Sequence, residues 1–159
     1  MDAATEEAVA TGAAAGILGG MFVFFAIFGL IFFVLLVIAY WKMFTKAGVE
    51  GWKSIIPVYN TYTLYKLVWN VQNFWIYLGL TIVTYLFSGI NSDGSNVFLS
   101  ILTLVAGIAL LVWIVRANIA TAKAYGKGTG FAVGLTLLPN IFTLILGFGD
   151  ARYVGPQEA

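Results

Sequence analysis

Four long apolar stretches, at residues 17–40, 74–90, 97–115 and 131–148, constrain this chain more than any other feature. A helix rises about 1.5 Å per residue, so about 20 apolar residues cross a hydrocarbon layer roughly 30 Å thick. Backbone N–H and C=O groups find no water there, and the stretches are therefore predicted to be helical. Only 9% of the 159 residues are charged, against about 25% in soluble domains. We expect an all-α membrane protein with four transmembrane helices.

The charged residues separate by sign between the loops. Seven of the eight basic residues lie in segments 41–73 and 116–130, whereas six of the seven acidic residues lie outside them. Cytoplasmic loops are enriched in Lys and Arg. We therefore expect both segments in the cytoplasm and both termini outside the cell membrane. The predicted parts are an extracytoplasmic segment 1–16, a membrane domain 17–150 and a tail 151–159.

The segment between the first two spans contains the strongest candidate for a functional surface. Pro57 suits the first turn of a helix. Aromatic and basic residues then recur every three or four positions, which places them on one helical face. An interfacial amphipathic helix on anionic lipid is one interpretation, and a re-entrant helix that lines a polar cavity for a ligand or partner is the other. The candidate face comprises Trp52, Pro57, Tyr59, Asn60, Tyr62, Lys66 and Trp69.

The second half offers candidates near the inner end of the third span and around the fourth. Intramembrane polar groups are candidates for function, although Arg116 lies close enough to the interface to extend its charge into water. Pro139 interrupts the fourth stretch. The second-half candidates are Arg116, Asn118, Lys123, Pro139 and Asp150.

Three glycines near the N-terminus recur at a spacing of four residues. Gly12, Gly16 and Gly20 therefore lie on one helical face, which permits close helix approach. Packing within the bundle and a homo-oligomer interface are the two uses of such a face.

Several classes of function are disfavoured by composition. The chain has no Cys and no His, which removes thiolate ligands, the commonest metal ligand and the usual general base. Its net charge of +1 argues against nucleic acid as a partner. We expect no metal, no cofactor and no enzymatic activity, and the lipid bilayer as the surrounding partner.

The two halves of the chain resemble each other. After its first span each half has a Lys-Ala pair, a Gly-aromatic pair and an aliphatic-aliphatic-Pro triplet, the triplets ending at Pro57 and Pro139. This order predicts a parallel repeat with its axis along the membrane normal. Chance recurrence in a chain rich in Ile and Leu is the alternative.

The runs 40–44, 46–48 and 55–60, together with 123–127 and 146–150, carry a resemblance. They are similar to a family of small bacterial integral membrane proteins of unknown function. A similar domain occurs fused to some signal peptidases, and some members carry the name of that enzyme. The resemblance implies a fold and a membrane location. It does not imply peptidase activity, because every lysine here is predicted inside, away from the outer serines.

These observations favour a non-enzymatic accessory or scaffold module. We expect it to bind a membrane protein partner or lipid through the face within residues 46–69. A small transporter or channel that uses broken helices at Pro57 and Pro139 is the alternative.

Overall fold

The computed structural model describes residues 2–157, and within that range the regular structure is helical. Six α-helices and one short 3₁₀ helix follow one another along the described chain. They are α1 (Ala3–Lys46), the 3₁₀ helix (Gly51–Ser54), α2 (Pro57–Val68), α3 (Val71–Ile90), α4 (Val97–Ala124), α5 (Thr129–Leu137) and α6 (Pro139–Phe148). The chain divides into two units, one ending at Leu36 and the other beginning at Val37.

Three helices of the described chain are long and apolar enough to cross a membrane. They are Thr11–Lys46 within α1, Val71–Ile90 and Val97–Ala124. These helices confirm the first three apolar stretches as helical, and α4 continues beyond the third stretch to Ala124. The N-terminal ends of α3 and α4 are capped by Asn70 and Asn96, whose side chains accept from the backbone N–H three residues later.

The part of α1 that precedes Val37 forms a unit by itself. Its side chains from Thr11 to Leu35 are almost all exposed. Gly12, Gly16 and Gly20 have open space where a Cβ atom would stand. Their use in a homo-oligomer stays a prediction.

The apolar stretch 131–148 forms two short helices, α5 and α6, where the sequence led us to expect one span. They meet at Leu138, whose φ of −134° and ψ of 61° are not helical. The rings of Phe131 and Phe142 have centroids 4.9 Å apart, whereas one straight helix would separate these positions by about 16 Å. The two helices therefore fold back on each other, and a fourth span is not confirmed. The cause is Pro139, which lacks an N–H donor and disfavours a helical residue before it.

The second unit has its buried core at one end, which we call the basic end (residues 41–73, 116–130 and 149–157). There the ends of α1, α2, α4 and α6 come together. The core includes Met43, Phe44, Leu67, Val68, Ala120, Tyr125 and Leu146. All eight basic residues belong to the basic end once the tail is included, because Arg152 lies in it.

The C-terminal tail crosses the basic end and bonds to two helices there. The N–H of Val154 donates to the carbonyl of Ala124 at 2.8 Å, and the N–H of Gln157 donates to the carbonyl of Val68 at 2.9 Å. The tail therefore lies beside the two basic loops. The predicted sides of the membrane for the termini and for those loops are not established by this contact.

Helices α1 and α4 end in the same way. Gly48 and Gly126 adopt positive φ angles of 72° and 68°. The next N–H reaches back five residues in each case, from Val49 to the carbonyl of Phe44 and from Lys127 to that of Ala122. This is the Schellman arrangement, and a left-handed residue there is usually glycine. The shared end is consistent with the proposed repeat, which stays a prediction.

Helix α6 packs closely against α1 at Gly147. A Cβ atom at this position would lie 2.6 Å from Cα and from the carbonyl oxygen of Ala39. The neighbouring atoms belong to backbone, so they cannot move aside as a side chain can.

We predict that Gly147→Ala lowers the free energy of unfolding by about 1–3 kcal/mol, the usual cost of overpacking. The control is Gly107→Ala in α4, where a Cβ atom meets nothing within 4 Å and alanine favours the helix by up to about 1 kcal/mol. Thermal unfolding of both variants in mild detergent measures the difference. Equal midpoints for the two variants would contradict the close contact.

Candidate functional site

The ammonium group of Lys46 holds the end of α6. Its Nζ donates to the carbonyls of Leu146 and Gly149, each at 2.7 Å. The last carbonyls of a helix have no partner within the helix and carry partial negative charge. Lys46 therefore caps α6 from α1. Lys42, one turn earlier in α1, also contacts the end of α6. Its Nζ lies 4.5 Å from the centre of the Phe148 ring.

Two tyrosine hydroxyls join segments of the basic end to one another. The buried Tyr125 donates from Oη to the carbonyl of Met43 at 2.9 Å, and Tyr153 donates to the carbonyl of Leu67 at 2.6 Å. Burial raises the pKa of both phenols, and the neighbouring Tyr153 raises that of Tyr125 further. Both hydroxyls therefore keep their protons and remain donors at neutral pH.

Six aromatic rings form a continuous row from the 3₁₀ helix through α2 to the start of α3. We call this the aromatic row: Trp52, Tyr59, Tyr62, Phe74, Tyr65 and Tyr77. Successive centroids lie 5.3–6.2 Å apart, within the range of favourable ring contacts. Trp52 is 45% exposed and Tyr59 is 36% exposed, whereas Tyr65 is buried. The row therefore has an open end and an anchored end.

Burial at the anchored end changes the pKa of one of its tyrosines. Burial raises the pKa of the Tyr65 hydroxyl, and the neighbouring Tyr77 raises it further. Tyr65 therefore stays neutral within the row.

Glu50 sets the orientation of the Trp52 ring. One carboxylate oxygen accepts from the indole Nε1 at 3.1 Å and pairs with Lys53 Nζ at 3.2 Å. The hydrogen bond from Lys53 and then that from Trp52 lower the pKa of Glu50. An exposed pair of this kind adds little stability, so its effect is to orient the exposed tryptophan.

Asn60 braces the start of α2. Its Nδ2 donates to the carbonyl of Ser54 at 3.3 Å, which joins α2 to the 3₁₀ helix. Within residues 2–157 the buried Ser54 hydroxyl has no hydrogen-bond partner. Pro57 begins α2, as the sequence predicted. The side chain of Lys66 is exposed, and the predicted polar cavity around these residues stays untested.

Trp69 leaves the predicted face and joins a residue of the second half. Its ring lies 5.3 Å from that of Trp113, and the guanidinium of Arg116 lies 5.3 Å and 5.8 Å from the two ring centres. Trp113 donates from Nε1 to the carbonyl of Asn73 at 3.1 Å. Candidates from the two halves thus meet where α2, α3 and α4 come together.

The remaining second-half candidates lie apart from one another. Asn118 donates from Nδ2 to the hydroxyl of Thr136 at 3.2 Å and thereby joins α4 to α5. Lys123 and Asp150 are exposed at the basic end. Pro139 begins α6 at the turn of the folded-back pair. These residues therefore do not form one site.

Sequence reasoning missed the residues that brace the basic end: Lys46, Tyr125, Tyr153 and Trp113. Each donates to a backbone carbonyl distant in sequence, and carbonyls carry no residue-specific signal. A basic residue in the last turn of α1 and a tyrosine directly before a glycine turn were the available hints. Among residues 2–157, no three His, Cys, Asp or Glu side chains form a group that could hold a metal ion.

A match to a known protein family covers residues 52–156. The chain belongs to a family of unknown function (DUF5684). The matched region of this family begins at Trp52 and ends at Pro156, so it includes the aromatic row, α2 to α6 and the tail as far as Pro156, whereas α1 precedes it. Neither a curated protein nor a solved structure matches the chain.

We predict that Lys46→Met lowers the free energy of unfolding by about 1.5–3 kcal/mol, the usual value for hydrogen bonds to a charged group. The methionine keeps the apolar stem and removes both bonds to the end of α6. The control is Lys66→Met, in which an exposed lysine is lost and a change within about 0.5 kcal/mol is expected. Thermal unfolding in mild detergent gives both values. A stable Lys46→Met variant would mean that α6 needs no cap from α1.

Proposed function

We propose that the protein is a non-enzymatic accessory or scaffold module that binds a membrane protein partner at the basic end. The open end of the aromatic row is the contact surface. The single observation that carries this proposal is the stacked and exposed pair Trp52 and Tyr59 on a braced support. Tryptophan and tyrosine are enriched among the residues that dominate binding energy at protein interfaces.

The support beneath this pair is what favours a scaffold. The row is anchored by the buried Tyr65 and Phe74, and the indole of Trp52 is oriented by Glu50. A surface that is already ordered loses little conformational entropy when a partner binds. The sequence resemblance to a domain fused to some signal peptidases also agrees with an anchoring role.

We propose three spans and one re-entrant pair in the cell membrane, in place of four spans. Helix α5 has 9 residues and α6 has 10, so each extends about 14–15 Å, roughly half of a hydrocarbon core. The pair would enter from the basic end and return to it. All eight basic residues then lie on one side, which the positive-inside rule places in the cytoplasm. The N-terminus lies outside and the C-terminus inside.

The topology is tested with single cysteines, since the native chain has none. We predict that Ser92→Cys, between α3 and α4, reacts with an impermeant maleimide added to intact cells. We predict that Val154→Cys, 60% exposed in the tail, reacts only after the cells are opened. Labelling of Val154→Cys from outside would restore the four-span topology and reject the re-entrant pair.

The partner surface is tested by purification from native membranes in mild detergent, followed by mass spectrometry. We predict one stoichiometric partner that is retained by the wild type and reduced at least about tenfold by Trp52→Ala with Tyr59→Ala. The matched control is Tyr85→Ala, since Tyr85 is 75% exposed on α3 but lies outside the aromatic row. A partner retained equally by all three proteins would reject this surface, and repeated recovery of the chain alone would reject the scaffold.

A small transporter or channel is the second proposal, and one observation favours it. The turn between α5 and α6 exposes Leu138, Pro139 and Asn140. Non-helical backbone at membrane depth is tolerated where protein or a water-filled cavity covers it. Broken helices at Pro57 and Pro139 would then supply the solute path. Recovery of a homogeneous chain without a partner in the purification above would favour this second function.

A further inference from the structure

An apolar groove of about 200 Å³ lies between α4 and α5. Val115 and Ile119 form its α4 side, and Thr129, Val133 and Leu137 line its α5 side. The hydroxyl of Thr136 also borders the groove, but it donates to the carbonyl of Ala132 within α5. The walls therefore present carbon atoms, which suit an alkyl chain.

In the proposed topology the groove lies at a depth where alkyl chains are present. Val115 and Ile119 belong to a helix that is long and apolar enough to cross a membrane. Val133 and Leu137 are 58% and 73% exposed, so the groove opens to the surroundings of the helices. In the proposed topology those surroundings are the inner leaflet. An acyl chain of a lipid is therefore the occupant that matches both the walls and the depth.

A lysine adjoins the end of the groove that Thr129 lines. Lys127 precedes this residue by two positions, and its backbone N–H is fixed by the bond to the carbonyl of Ala122 at 2.8 Å. The hydroxyl of Thr129 adds a further donor. Cationic residues at the cytoplasmic face attract anionic headgroups.

We propose that this groove binds one acyl chain of an anionic phospholipid whose phosphate lies against Lys127 and Thr129. The charge at one end and the apolar walls along the rest match the two parts of such a lipid. The site lies on α4 and α5, apart from the aromatic row. It therefore goes beyond the proposed partner surface and does not depend on it, but it rests on the proposed topology.

The test uses the full chain in mild detergent and native mass spectrometry, with phosphatidylglycerol and phosphatidylcholine added separately. Val133→Phe places a ring in the groove and is expected to lower the binding of both lipids. Its control is Val105→Phe, a residue of α4 that is 59% exposed and lies outside the groove. Equal lipid binding by the two phenylalanine variants would overturn the proposal.

The charge at the groove is tested with Lys127→Gln, an exchange that leaves the helix packing unchanged. We expect a loss of about fivefold in phosphatidylglycerol affinity, the effect of one lysine near an anionic headgroup, with phosphatidylcholine binding unaffected. Its control is Lys66→Gln, which removes one charge from another part of the basic end. Equal losses for the two glutamine variants would overturn the proposal, because the whole basic end would then attract the lipid. No partner protein is present, so this outcome is independent of the proposed partner surface.

Discussion

The bonds from Lys46 to the last carbonyls of α6 are the interaction on which the second unit depends. They fix the end of α6 to the end of α1. Because α5 begins where α4 ends, the chain between Thr129 and Phe148 must leave the basic end and return to it. The tail then starts beside α1 and can reach the carbonyls of Val68 and Ala124. The two bonds of one lysine thus help to fix where the last fifth of the chain lies.

Three further side chains stabilise the basic end by donating hydrogen bonds to backbone carbonyls. Tyr125, Tyr153 and Trp113 each satisfy a carbonyl in another segment. Buried carbonyls need such partners, because the cost of an unsatisfied polar group exceeds the net value of one bond. The basic end is therefore ordered by polar contacts around a small core, and this order gives the aromatic row a fixed position.

Hydropathy predicted α1, α3 and α4 because a long apolar run has few alternatives to a helix in hydrocarbon. Local rules also predicted the start of α2 at Pro57, since proline suits a first turn wherever the helix lies. The same rules could not distinguish a straight fourth span from a folded-back pair. Residues 131–148 are apolar and long enough for either, and the contact that decides between them, Phe131 with Phe142, depends on the conformation of Leu138.

The candidate surface was predictable where neighbours in sequence determine it. Tyr59 and Tyr62 stack because they are three residues apart on α2. Trp69 does not stack with them. Helix α2 ends at Val68, and the Trp69 ring contacts Trp113 and Arg116 instead. This contact depends on Trp113 and Arg116, which lie more than forty residues later in the sequence, so no local pattern predicts it.

Helices α1 and α4 end in the same way, but the segments that follow them form different surfaces. The glycine caps of α1 and α4 have matching bonds, but a 3₁₀ helix of 4 residues follows the first and the 9 residues of α5 follow the second. The shorter element keeps the following aromatic side chains at the basic end. The longer element runs back along α4 and forms a groove with it. A difference of about one helical turn therefore separates the proposed partner surface from the proposed lipid groove.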